Sequence, residues 1–274
     1  MPVRDLLDKL PACPAAEAPC KVCGAASPLF DVCDFMKNCE QRRDAALGRP
    51  LAGVPIYYYR CPACGFLFTI AFDGLGEAEL GALVYNDDYV RYDPDFAEAR
   101  PREMARVVRG LVGDSLLSRL SILDYGGGNG RLRDFLREAG GRHVESYDPY
   151  FQDGAPQARF DLVLCFEVLE HSRAPRRLVA DLRRMLGPAG VVIFSTLLQP
   201  PDIAAQGVQW WYVAPRNGHV SIHTGKSLRD LFACEGLDVL HGTNGLHVAL
   251  TRPRPDFVHT GRDASGRVEL AFRS

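Results

Sequence analysis

Residues 121–130, SILDYGGGNG, constrain the fold of this chain more than any other stretch. Ile122 and Leu123 form the apolar end of a strand that runs into Asp124. Gly126, Gly128 and Gly130 follow, and without Cβ atoms they let the backbone turn sharply and approach a ligand closely. Leu132, Phe135, Leu136 and Ala139 then recur at helical spacing until Gly140 and Gly141 stop the run. The stretch predicts a strand, a glycine turn and a helix.

A dinucleotide fingerprint needs G-x-G-x-x-G, and no register of GGGNGRLR supplies it. The residues instead spell Asp124-x-Gly126-x-Gly128-x-Gly130, which resembles the first motif of class I S-adenosylmethionine-dependent methyltransferases. Eighteen residues after Gly130, Asp148 ends a second strand-like run, and its carboxylate can accept hydrogen bonds from both ribose hydroxyls of a nucleoside. The block FDLVLCFEVLEH, residues 160–171, resembles the E-V-L-E-H segment of small-molecule methyltransferases. These resemblances imply that Asp124, Gly126, Gly128, Gly130, Asp148 and Phe166 bind the cofactor, S-adenosylmethionine. Residues 149–160 are too short for the strand and helix that such a core places there, so that unit is trimmed and Asp153 is left as the candidate for the adenine amino group.

The later chain repeats strand and helix as a doubly wound sheet requires. Leu178, Leu182 and Met185 face inward from a helix stopped by residues 187–190, and residues 191–196 form the next strand. A helix over 227–235 turns Leu228, Leu231 and Phe232 inward, and residues 237–240 and 246–250 make a closing hairpin. Upstream, residues 96–117 are helical, with Met104, Val107, Val108 and Leu111 on one side. Tyr85 and Tyr89, beside acids in residues 74–90, suit either a packing seam or an acceptor pocket. The fold class is therefore α/β, a doubly wound Rossmann-like methyltransferase sheet with a small N-terminal zinc-ribbon-like module. The expected divisions are 1–73 for that module, 74–117 for a helical linker, 118–252 for the methyltransferase core and 253–274 for a polar C-terminal tail that the sequence leaves uninformative. Residues 1–19 read as a loosely held leader.

Nine cysteines need an explanation. The N-terminus has no uninterrupted apolar run of signal-peptide length, and no later run approaches a membrane span, so a cytoplasmic location and reduced thiols are expected. Cys20-x-x-Cys23-Gly24 and Cys61-x-x-Cys64-Gly65 are two knuckles, each suited to grip one metal with two thiolates. Together they predict a closed structural zinc site that staples a module too small to bury much core. Cys33 and Cys39 lie between the knuckles without belonging to either.

The two-part arrangement resembles bacterial sugar methyltransferases, and it implies methylation of a sugar, a nucleotide-linked sugar or a glycan. Those enzymes often carry a further C-terminal domain, which has no counterpart in these 274 residues. Methyl transfer from a sulfonium needs alignment, and a base where the acceptor must lose a proton. His171 is the first candidate base, with Glu170 tuning it, and His219 is the second. Glu167, Glu170 and His171 at i, i+3 and i+4 would share one helical face. With His219 they resemble the E-x-x-E-H set of metal-assisted methyltransferases acting on catechol-like quinone precursors or on the terminal ribose of small RNAs, where a cation acidifies the acceptor hydroxyl.

A formal charge of -2 and a pI of about 6.4 give no global pull toward nucleic acid, which counts against RNA 2′-O-methylation and for a small-molecule partner. A non-catalytic scaffold that keeps the fold is the remaining alternative, opposed by the intact glycine turn, Asp148 and the Glu170–His171 pair.

Overall fold

The computed structural model describes residues 3–150, 152, 154–242, 245–262 and 268–273. Contacts divide the chain into two compact units: Met1–Pro94 with Leu169–Arg176 and Leu197–Leu231, and Asp95–Val168 with Arg177–Thr196 and Phe232–Ser274. The expected division into consecutive blocks is therefore replaced by two interleaved ones. The cause is visible in strand pairing, since an N-terminal strand finds its last neighbour beyond residue 220.

In chain order the elements begin with α1 (Val3–Leu7), β1 (Glu17–Pro19), β2 (Ala26–Asp34), β3 (Pro55–Arg60) and β4 (Leu67–Thr69). Next come α2 (Glu77–Leu83), α3 (Tyr89–Tyr92), α4 (Ala99–Leu117), β5 (Ser121–Tyr125), α5 (Arg131–Glu138), β6 (His143–Tyr147) and β7 (Phe160–Phe166). The chain continues through α6 (Pro175–Met185), β8 (Leu186–Ser195), α7 (Ile203–Gln206), β9 (Ser221–Ile222) and α8 (Gly225–Ala233). It closes with β10 (Asp238–His241), β11 (Leu246–Leu250), β12 (Val258–Arg262) and β13 (Val268–Phe272). No helix among the described residues is long and apolar enough to cross a membrane.

The first unit is built on an antiparallel sheet in the order β1-β2-β3-β4-β9. The two cysteine knuckles are its hairpin turns, one joining β1 to β2 and the other β3 to β4. Leu6, Ile56, Tyr58, Leu67, Phe72 and Ile222 pack into one buried core. This corrects two expectations. The knuckles do not sit in a separate small module of residues 1–73, because their unit's core takes in Ile203, Val208, Tyr212 and Ile222 from later in the chain. The N-terminal stretch is no loose leader either: Leu6, Leu7 and Leu10 are buried, and Tyr57 and Tyr59 donate their hydroxyls to the carbonyls of Ala12 and Ala15.

The second unit is built on a mixed sheet in the order β10-β11-β8-β7-β5-β6. β6, β5, β7 and β8 run parallel, whereas β11 and β10 are added antiparallel. Leu132, Phe135 and Leu136 of α5 and Leu178, Leu182 and Met185 of α6 are buried, as their spacing predicts. In α4 the buried face runs through Ala105, Val108 and Val112, with Met104 and Leu111 at its flank, and Gly113 at φ 72° breaks the helical geometry. The C-terminal tail, uninformative in sequence, forms the β12–β13 hairpin, and Val258 and Phe272 bury against the core of this unit. The alternation of Val258 and Phe272 with polar neighbours is too short to stand out in sequence.

From β5 the chain steps to β6 on one side and returns to β7 on the other. The strand order reverses beside β5, and open α/β sheets take ligands outside the carboxyl ends of strands at such a point.

Candidate functional site

At that reversal β5 delivers Asp124, which pairs in register with Ser146 of β6 and Leu164 of β7. Asp124 is 3% exposed and accepts a 3.4 Å hydrogen bond from the Ser146 hydroxyl. Burial, reinforced by the nearby charge of Asp148, pushes its carboxyl up to about 7. The glycine turn folds down over it. A Cβ on Gly127 would lie 2.3 Å from the Asp124 Oδ2, and one on Gly126 would lie 2.5 Å from Val168. Gly128, at φ 53°, has no heavy atom within 4 Å of where a Cβ would stand, so its backbone faces open space.

Asp148, just beyond β6, is buried. Its Oδ2 accepts from the Gly128 N–H at 2.9 Å and its Oδ1 from the Tyr150 N–H at 2.8 Å. Each carboxylate oxygen can accept a second hydrogen bond, so the pair retains capacity for two hydroxyl donors. A backbone open at Gly128 beside a buried acid at a strand end fits the ribose and amino-acid portions of S-adenosylmethionine. Gly130, at φ 76°, starts α5, and Phe166 ends β7 half-buried against the core of the second unit. The connection from β6 to β7 has no strand or helix among its described residues, and Asp153 lies outside them. A cavity of about 460 Å³ there is lined by Glu145, Ser146, Tyr147, Gln152, Gly154 and Pro156.

In the first unit, the ligand atoms of Cys20, Cys23, Cys61 and Cys64 all lie within 4.8 Å of one another. The Cys20–Cys64 and Cys23–Cys61 sulfurs stand 3.7 and 3.5 Å apart. A tetrahedron with metal–sulfur bonds of ~2.3 Å has edges of about 3.8 Å, so this spacing fits a zinc ion. The N–H groups of Val22 and Cys23 point at the Cys20 sulfur, and Gly24 and Gly65 take positive φ to close the two knuckles. A hydrogen bond from Cys64 pulls the Cys20 thiol down to about 5 while holding the Cys64 proton in place. Cys33 and Cys39 are not members of this group, and burial pushes both thiols up to about 12.

Also in the first unit, Glu170, His171 and His219 bring one ligand atom each within 4.8 Å of the others. Glu170 and His171 sit on a 3-10 turn, Leu169–His171, and the Val220 N–H donates to the Glu170 carbonyl, which joins that turn to the segment entering β9. The His171 and His219 rings meet edge-on with centroids 5.0 Å apart. Glu167 does not belong to this group, a correction to the expected one-face array. At φ 54° it leaves helical geometry, and its carboxylate instead accepts from the Ser195 hydroxyl at 2.7 Å.

The loop before β9 is held by buried side chains that sequence reasoning missed. Arg216 donates to the Val84 carbonyl, Asn217 donates to the Tyr92 carbonyl, and Tyr58 donates to the His219 carbonyl. Gly218 takes φ 84°, and a Cβ there would stand 2.9 Å from the Tyr85 hydroxyl and 3.2 Å from His171 Nδ1. Tyr85 lies 3.1 Å from that same nitrogen and 5.2 Å, ring to ring, from Tyr89. His223 is buried and is not a member of this group. The one sequence signal for this loop was its density of Trp, Tyr and His beyond a strand end.

A family model described as a methyltransferase domain matches residues 96–242. The ubiquinone biosynthesis O-methyltransferase of Pasteurella multocida (strain Pm70) is 32% identical over 54 residues, which are 20% of this chain and 22% of that protein. The match thus spans about a fifth of the curated relative's length. Among solved structures, the Burkholderia thailandensis 1,6-didemethyltoxoflavin-N1-methyltransferase with bound 1,6-didemethyltoxoflavin and S-adenosylhomocysteine is 17% identical, covering 72% of this chain and 95% of that one at a TM-score of 0.44. Magnesium protoporphyrin IX methyltransferase from Synechocystis PCC 6803 with bound S-adenosylhomocysteine is 18% identical, covering 55% and 83% at a TM-score of 0.41. The family model takes in more than half of the 274 residues, including the glycine turn, Asp148, Glu170, His171 and His219. On that match, the chain belongs to the methyltransferase domain family.

Proposed function

We propose that the protein methylates a hydroxyl of a small polar molecule in the cytoplasm, using S-adenosylmethionine. The observation that carries this reading is the buried Asp124, the open glycine turn above it and Asp148 bonded to Gly128, joined in one strand-end site. Asp148 holds the ribose hydroxyls, the turn from Gly126 to Gly130 admits the cofactor backbone closely, and Phe166 closes the strand end. When bound, the cofactor supplies a methyl group on a sulfonium that leaves as a neutral thioether. His171 takes the proton that the acceptor oxygen gives up, and Glu170 and His219 orient it. Sugars and nucleotide-linked sugars are the first acceptors to screen. The four cysteines hold a structural zinc, since four protein thiolates leave no open coordination position for chemistry.

The test is calorimetric titration of zinc-loaded protein with S-adenosylmethionine and S-adenosylhomocysteine. Asp148→Ala should weaken binding by about 10- to 100-fold, the worth of one or two hydrogen bonds to a charged group. His171→Ala should leave binding intact and depress turnover by about 10²-fold or more. Absence of binding by the folded wild type would move the assignment to a non-catalytic scaffold.

A second reading is favoured by the convergence of Glu170, His171 and His219 within 4.8 Å. Two imidazoles and a carboxylate suit a divalent cation, which would lower the pKa of the acceptor hydroxyl and fix its orientation. Titration of the zinc-loaded protein with Mn²⁺ separates the two readings.

A further inference from the structure

Tyr212 touches two of the three members of the Glu170–His171–His219 group through two different parts of itself. It is 2% exposed, and its hydroxyl donates to Glu170 Oε1 at 2.6 Å. The Leu197 N–H lies 3.3 Å from the same phenolic oxygen. A phenol has one proton, so with a donor directed at its oxygen that proton is committed to the carboxylate. The Tyr212 backbone carbonyl meets His219 Nδ1 at 2.7 Å. A carbonyl only accepts, so Nδ1 carries a proton, and the lone pair of the neutral ring is then on Nε2. The Tyr212 ring also packs edge-on against His219, with centroids 4.4 Å apart.

We propose that Tyr212 is the positioning residue of a divalent-cation site formed by Glu170, His171 and His219, its hydroxyl orienting the carboxylate while its carbonyl selects the His219 tautomer. The proposal rests on the divalent-cation reading. Partners of this kind fix the rotation and tautomer of metal ligands, and their loss typically weakens metal binding by about 10- to 100-fold. Tyr212 supplies two of them from one residue, so the loop that carries it and His219 also sets the geometry of Glu170 from the turn at residues 169–171.

The substitution that isolates the hydroxyl is Tyr212→Phe, which keeps the ring and the carbonyl. Zinc-loaded wild type and variant are titrated with Mn²⁺ alone, counting the free ion by its electron paramagnetic resonance signal. The His219 tautomer is read in parallel from imidazole ¹⁵N shifts. The proposal expects one Mn²⁺ per wild-type chain, about 10- to 100-fold weaker binding by the variant, an Nδ1-protonated His219 in both, and unchanged zinc content and melting temperature. Equal Mn²⁺ affinity in the two proteins would overturn the role of Tyr212 while leaving the cation site standing. An Nε2-protonated His219 would overturn the carbonyl's part. Wild type that binds no Mn²⁺ would overturn the cation reading, and the positioning role with it. A variant that loses zinc or melts lower in parallel with its Mn²⁺ affinity would mark Tyr212 as a fold residue and overturn the proposal equally.

Discussion

Asp124 is a carboxyl group that is almost wholly buried, and the sign of its effect on stability follows from that. Its folded pKa, about 7, stands above the unfolded value of about 3.9, so it favours the folded state fully below the unfolded value and loses that contribution as pH climbs through about 7. Between pH 5 and pH 7 the group should cost the protein on the order of 2 to 3 kcal/mol of unfolding free energy. Asp124→Asn has no such titration, so urea denaturation at pH 5 and pH 8 should show a smaller decline for the variant than for wild type. His247 runs the other way. Burial holds its imidazole down at about 4, so its contribution is lost as pH falls from about 6.5, and the wild-type-minus-variant difference cancels it. Asp124 itself was legible in the sequence because an acid before a glycine turn is a local pattern. Ser146 was not, because its contact with Asp124 depends on strand register across two parallel strands.

At the level of elements, the knuckles show how local and distant information divide. Each C-x-x-C-G turn could be read from five consecutive residues, and each folds as a hairpin turn with its glycine at positive φ. Their setting between strands of a well-filled sheet was not readable, because β9, the strand that completes the sheet, is only two residues long. This setting changes what metal removal should do. Cys61→Ser should lower zinc to less than one ion per chain and reduce the melting temperature. Circular dichroism should still report a folded protein, since Ile56, Tyr58, Leu67 and Ile222 remain buried together. Global unfolding on chelation would show instead that the metal carries the unit, as in zinc fingers. The Glu167–Glu170–His171 array failed as an expectation for a related reason. Helical spacing holds only where the backbone stays helical, and the positive φ of Glu167 ends that before the 3-10 turn begins.

For the whole molecule, the parallel sheet and its helices were readable from periodicity, because buried strands and amphipathic helices each repeat a short pattern. The interleaving of the two units was not, since it rests on Leu67 pairing with Ile222 and Phe68 with Ser221. A fragment of residues 1–94 carries all four knuckle cysteines yet lacks β9, Leu169–Arg176 and the Tyr212 loop. Expressed alone, it should bind zinc while showing poorly dispersed amide resonances. A well-dispersed spectrum would demonstrate a self-sufficient module. The β4–β9 pairing also sets a timetable for biosynthesis. Strands made early on the ribosome must wait for about 150 further residues, roughly ten seconds or more of translation, before their sheet can close. Throughout that interval the β4 edge is available to other chains in the cell, so this protein's yield should depend on how quickly the nascent chain is finished or shielded.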